Sequence, residues 1–140
     1  MYWRWCDVDG PVSVERNALR ANITETTQAY ALDTVYQNTT GRPLLVCLNA
    51  WVNCNTSSSA QHGRIDLDVS ASNPPAANQR KTLANRQTVT NGAFDSVQIS
   101  TRVEGGLDYI VLPNHFFRWR TISVLGTPNF QALASHSQEL

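Results

Sequence analysis

From Thr34 to the C-terminus the punctuation and periodicity of this chain become those of strands, with segments whose apolar residues recur at every second position and turn-forming residues between them. Side chains on a strand alternate between the two faces of a sheet, so a period of two marks strands, whereas a helix requires a period near 3.6. Residues 64–72 are the clearest case. Ile65, Leu67, Val69 and Ala71 share one face, and Asp66, Asp68 and Ser70 share the other, as in a strand with one wet face. Val97, Ile99, Thr101 and Val103 alternate in the same way up to Gly105-Gly106, where that strand is expected to end. Residues 44–52 form a nearly continuous apolar run, the pattern of a strand covered on both faces, by a second sheet and by another subunit.

The punctuation agrees with many short strands. Turns or loops are expected at 38–43, at 53–62 with its serine run, at 73–78 around Pro74-Pro75, at Asn91-Gly92, which favours a tight hairpin, and at Pro113-Asn114. Residues 81–90 read as an exposed strand, and 130–140 as a terminal strand or a docking tail. Six to eight strands at this spacing indicate a sandwich or compact barrel. The expected fold is all-β, an antiparallel, jelly-roll-like β-sandwich over residues 34–140. Residues 1–33 form an attachment segment, an extended or short helical lead-in with a candidate helix at 14–22 capped by Ser13.

Composition narrows the function. Eleven basic and eleven acidic residues cancel, which leaves no long-range field to gather nucleic acid or an anionic membrane. Asn, Gln, Ser and Thr make up 44 of the 140 residues, groups that hydrogen-bond water and carbohydrate alike. Ten of the eleven cations are arginine, a bias toward bidentate, partly buried contacts such as subunit interfaces. No apolar stretch is long enough to span a bilayer, and the start lacks an apolar leader, so a soluble protein made in a cytoplasm is expected. Cys6, Cys47 and Cys54 miss the spacing of zinc sites and are expected as free buried thiols; on one strand Cys47 and Cys54 face opposite sides. Glycosylation sequons occur at Asn22, Asn38 and Asn55, as chance allows in a chain this rich in Asn, Ser and Thr.

Constellations that carry catalysis are weak. Cys6-Asp7-Val8-Asp9-Gly10 looks like the nucleophile motif of haloacid-dehalogenase phosphatases, but no buried strand precedes it and no βα alternation follows. Asp66 and Asp68 point to one face and make two ligands for a hard cation, without a third nearby. His62, His115 and His136 have no metal spacing, and no Gly-x-Ser-x-Gly or phosphate loop is present. A non-enzyme without cofactor is expected. Trp51 and Trp119 lie inside strand-like runs and are expected in the core, whereas Trp3 and Trp5 share a face of the N-terminal segment and suit docking onto a neighbour.

Tyr36-Gln37-Asn38-Thr39-Thr40-Gly41-Arg42-Pro43, followed by Leu44-Leu45-Val46, resembles the opening of a domain found at the tips of many bacteriophage tail fibres and spikes. That family tends to read Tyr-x-Asn-Thr-Thr-Gly-Arg/Lys-Pro, later Val-Pro-x-Gly-x-x-Tyr, and often closes on Trp-x-Glu-Leu. Here Ile110-Val111-Leu112-Pro113-Asn114-His115-Phe116-Phe117 stands in the second place, with Asn114 for glycine and Phe117 for tyrosine, and the chain ends Gln138-Glu139-Leu140 without the tryptophan. Asn-Thr-Thr-Gly provides a turn with a residue at positive φ, and Asn tolerates the left-handed region at 114. The resemblance covers residues 34–140. It implies a homotrimeric β-sandwich on a virion, assembled in the host cytoplasm, held by other virion proteins and presenting loops to a bacterial surface glycan or protein. The candidate receptor-binding residues are Asn55, Ser58, Gln61 and His62, with 73–79 as a second candidate loop. The candidate attachment and interface residues are Trp3, Trp5, Arg118 and Arg120. The alternative role is structural, as a capsid or collar decoration or head-fibre protein.

Overall fold

A computed structural model describes residues 25–26, 28–56, 59–88 and 99–140 of the chain. The lead-in at 14–22, Trp3, Trp5, Cys6, Asp7, Ser58 and Asn91-Gly92 lie outside the described residues. Among those described, every regular element is a strand: β1 (Glu25–Thr26), β2 (Tyr36–Gln37), β3 (Leu44–Thr56), β4 (Gln61–Ser70), β5 (Lys81–Gln87), β6 (Ile99–Val111), β7 (Phe116–Leu125) and β8 (Asn129–Glu139).

The strands pair as one nested hairpin, β4 with β5, β3 with β6, β2 with β7 and β1 with β8, all antiparallel. Two more ladders, β3 with β8 and β4 with β7, gather these pairs into sheets of order β1-β8-β3-β6 and β2-β7-β4-β5. A long hairpin rolled into two facing four-stranded sheets is the jelly roll, so the expected fold class holds.

β3 shows how the sequence produces the core. Leu44, Val46, Leu48, Ala50, Val52 and Cys54 are buried, and the first five join Ile65, Leu67 and Val69 of β4 and Phe117 and Trp119 of β7 in one cluster. Leu45, Cys47, Asn49, Trp51 and Asn53 alternate with them and turn outward. Within the chain, the run at 44–52 is therefore covered on one face only. Trp51, expected in the core, lies half-buried on the outer face, with the Arg102 guanidinium 5.0 Å from its ring centroid. Trp119 fills the core, in contact with the rings of Tyr30 and Phe117. Cys47 and Cys54 are free thiols on opposite faces of β3, the first half-buried and the second buried.

Two segments differ from the expectation and a third settles an open choice. β6 continues through Gly105-Gly106, because those glycines mark close approach: a Cβ would lie 3.0 Å from Leu83 Cδ1 at Gly105 and 3.2 Å from Asn49 Oδ1 at Gly106. Of the two readings of residues 130–140 the terminal strand holds, since 130–139 lie in β8, an interior strand of its sheet. The sandwich also takes in residues ahead of Thr34. β1 pairs with β8, and Tyr30 is buried in the core with its amide donating to Ser135 Oγ at 2.8 Å.

Asn38 fastens two turns together. Its fully buried side chain donates Nδ2 to the carbonyls of Arg42 (2.7 Å) and Val111 (2.9 Å), while Oδ1 accepts from Thr40 N (3.1 Å) and Thr40 Oγ1 (2.9 Å). The backbones of Asn38, Asn114 and His115 exchange two more bonds. Gly41 and Asn114 both take positive φ, 76° and 61°. The Asn38 sequon amide is thus committed inside the fold. Asn38→Ala removes the donor to Val111 O and leaves Arg42 O with Thr40 Oγ1 alone, and at about 1–3 kcal/mol per buried group the expected loss is about 2–3 kcal/mol in urea unfolding.

Candidate functional site

Asp66 and Asp68 point away from the core, yet both are fully buried. Strand alternation alone predicts a wet face here; arginine is the reason it is dry. The β4–β7 register sets Asp66 opposite Arg120 and Asp68 opposite Arg118. Arg120 Nε donates to Asp68 Oδ2 at 2.6 Å, and Arg120 Nη2 lies 3.5 Å from Asp66 Oδ2. Arg64 Nε lies 3.2 Å from the same Asp66 oxygen, and Arg118 Nη2 3.8 Å from Asp68 Oδ2. Thr82 Oγ1 donates to Asp66 Oδ1 at 2.7 Å. The hydrogen bond to Asp68, more than any other contact, raises Arg120 above the ordinary guanidinium value. Arg118 and Arg120, expected at an interface, therefore commit their charge within the chain. The two carboxylates, weighed as cation ligands, face guanidinium groups, and among the described residues no cluster of three His, Cys, Asp or Glu is placed to hold a metal.

The second oxygen of Asp68 organises the β4–β5 turn. Asp68 Oδ1 accepts from the backbone amides of Asn78 and Gln79, both at 3.0 Å. Asn78 in turn bridges the backbone of Val69 through both ends of its amide, and Ser70 Oγ accepts from Ala76 N at 2.9 Å. Gln79 takes a positive φ of 43°, and Arg80 N then donates to Leu67 O at 2.7 Å. The chain enters β5 at a fixed point, which delivers the Arg80 side chain next to β6.

Beside that turn, along the edge of β6, runs a groove of about 830 Å³. Leu45, Val69, Ile110, Leu112 and the Tyr109 ring supply most of its lining, and Arg80, Lys81, Asp108 and His115 converge on it. The Arg80 guanidinium sits 5.9 Å from the Tyr109 ring centroid. Lys81 Nζ pairs with Asp108 Oδ1 at 2.7 Å across the β5–β6 edges; this exposed pair is worth under about 1 kcal/mol. His115 Nδ1 lies 3.1 Å from Pro113 O. An apolar concavity of this size with a few convergent polar groups is the form that ligand sites take.

Asn55, Gln61 and His62 lie at the opposite end of the sandwich, where β3 runs on to Thr56 and β4 already starts at Gln61, both further than expected. Asn55 is exposed and His62 half-buried, whereas Gln61 is 6% exposed and its Oε1 accepts the Asn55 amide at 2.9 Å. Gln61 thus closes the hairpin and is turned away from any partner. No residue of the second candidate loop, 73–79, lines the groove, although Ala71 before it and Arg80 after it do. The residues that sequence reasoning passed over are Arg80, Tyr109, Ile110 and Leu112, of which only Arg80-Lys81, a basic pair in a chain with a single lysine, left a visible mark. Comparison of the chain with protein families, with curated proteins and with solved structures gives no match.

Two measurements check this arrangement. Arg120→Ala leaves buried Asp68 without its shortest partner and is expected to lose about 3 kcal/mol in urea unfolding, while Arg118→Ala, removing a longer contact, loses under about 1 kcal/mol. Burial raises the thiols of Cys47 and Cys54 above their ordinary value. In a Cys6→Ser variant at pH 8 neither is expected to react with a disulfide reagent at the rate of a free thiol. Cys47 is the faster, its rate climbs as the solution is made more alkaline, and denaturant makes both react at once.

Proposed function

We propose that this chain is a bacteriophage virion protein that works by binding: a jelly-roll module, trimeric on the particle, that adsorbs to a host-surface glycan through the groove beside β6. The observation that carries this reading is the groove itself, apolar with convergent polar groups, at one end of a fold that serves viral coat and lectin domains. Fold alone assigns no function, so the argument rests on the site. The two segments that resemble the tail-fibre tip domain supply further support. Asn38 and Val111 join them, and the second contributes Leu112 and His115 to the groove. β1 and β6 are opposite edges of one sheet, so attachment to other virion proteins through the residues before β1 leaves the β6 edge turned away from the particle.

Light scattering at micromolar concentration is expected to give three times the 15.6 kDa chain mass. The trimer is then expected to bind cell-surface polysaccharide from the susceptible host and to compete with the phage for adsorption. A monomer removes the fibre reading. A trimer that binds particles but neither polysaccharide nor cells moves the role to capsid or collar decoration.

A further inference from the structure

We infer that the groove beside β6 takes an acidic saccharide, a glycan whose sugar ring carries a carboxylate in the manner of a uronic or sialic acid. This rests on the glycan-binding reading above and narrows it to a substrate class.

Arg80 is the first reason. Its backbone is fixed by the Asp68-anchored turn and by the bond to Leu67 O, and its exposed guanidinium lies 5.9 Å from the Tyr109 ring centroid. Among the described residues no carboxylate lies within ion-pair distance of it, in contrast to Arg64, Arg118 and Arg120, which all face Asp66 or Asp68. A guanidinium held in place with its donor fork uncommitted matches a carboxylate bidentately.

The second reason is the charge of the groove. Asp108 is already paired with Lys81, so Arg80 remains as an exposed net positive charge beside a mostly apolar lining. A neutral sugar covering Arg80 removes its water and supplies no anion in return, which costs affinity. The third is the lining. Ile110 and Leu112 offer an apolar wall for the C–H face of a sugar ring, with the Tyr109 ring across the edge of β6, and Asp108, which uses Oδ1 toward Lys81, keeps Oδ2 for a sugar hydroxyl.

The test titrates the full chain with a uronic-acid trisaccharide and a sialic-acid trisaccharide, each beside its carboxyl-reduced derivative, in which the carboxylate has become a neutral alcohol. At least one acidic form is expected to bind tenfold or more tightly than its reduced partner, with the difference shrinking as salt rises from 50 to 500 mM. Arg80→Gln is expected to abolish the difference and Arg80→Lys to keep part of it. Tyr109→Ala weakens both forms, and Arg102→Gln, on the outer face of the sheet, changes neither. Urea unfolding of Arg80→Gln at the wild-type midpoint shows that the fold is intact.

Equal binding of acidic and reduced forms, lost in Tyr109→Ala, overturns the acidic ligand and leaves the glycan-binding reading standing. Discrimination that survives Arg80→Gln places the carboxylate elsewhere and overturns the assignment to this groove. No binding by either acidic probe, or a change of oligomeric mass in Tyr109→Ala, overturns it as well, the latter because the groove is then covered by a second copy of the chain.

Discussion

The carboxylate of Asp68 is the contact on which the rest depends. A charge taken fully out of water is costly unless its lone pairs are met, and here one oxygen meets Arg120 while the other meets the amides of Asn78 and Gln79. The first of these contacts ties β4 to β7 on the face away from the core; the second fixes the turn that leads to β5. One ion therefore locks a sheet from outside and shapes a loop, which the hydrophobic core cannot do because it is blind to direction.

The rolled hairpin explains why the groove forms where it does. Its lining comes from the start of β3, the ends of β4 and β6, the beginning of β5 and the turn before β7, stretches up to 70 residues apart that the nested pairing brings to one end. The Asn38 side chain fixes the turns on either side of β3 and β6 at that end, so the floor of the groove belongs to the rigid part of the molecule. The polar groups stand on it in distinct ways, Lys81 and Asp108 as an exposed pair and Arg80 on an aromatic ring.

Strand alternation made the fold class legible, since Ile65, Leu67 and Val69 against Asp66 and Asp68 permit one reading only. The same rule misplaced Trp51, because an apolar run conceals its parity and only the buried Val46, Leu48, Ala50 and Val52 show which half faces inward. Gly105-Gly106 looked like a stop because glycine in sequence does not distinguish a turn from a close approach. The burial of Asp66 and Asp68 was hidden for a different reason: it depends on arginines on a strand some fifty residues later, and only the ladder register reveals that they are opposite. Gln61 looked like a ligand for the same lack of long-range information. The groove escaped notice because its members are ordinary residues, and proximity alone makes them a site.

The turn between β4 and β5 is held at its two ends, by Asp68 and Asn78 on one side and by Ser70 on the other, while residues 71–74, 76 and 77 are exposed. Mutations in that stretch leave every ladder of the roll untouched, and through Ala71 the stretch meets the wall of the groove. Selection acting on such a molecule has a segment in which novelty is cheap, so related chains are free to diverge there first while the sandwich behind it is inherited almost unchanged.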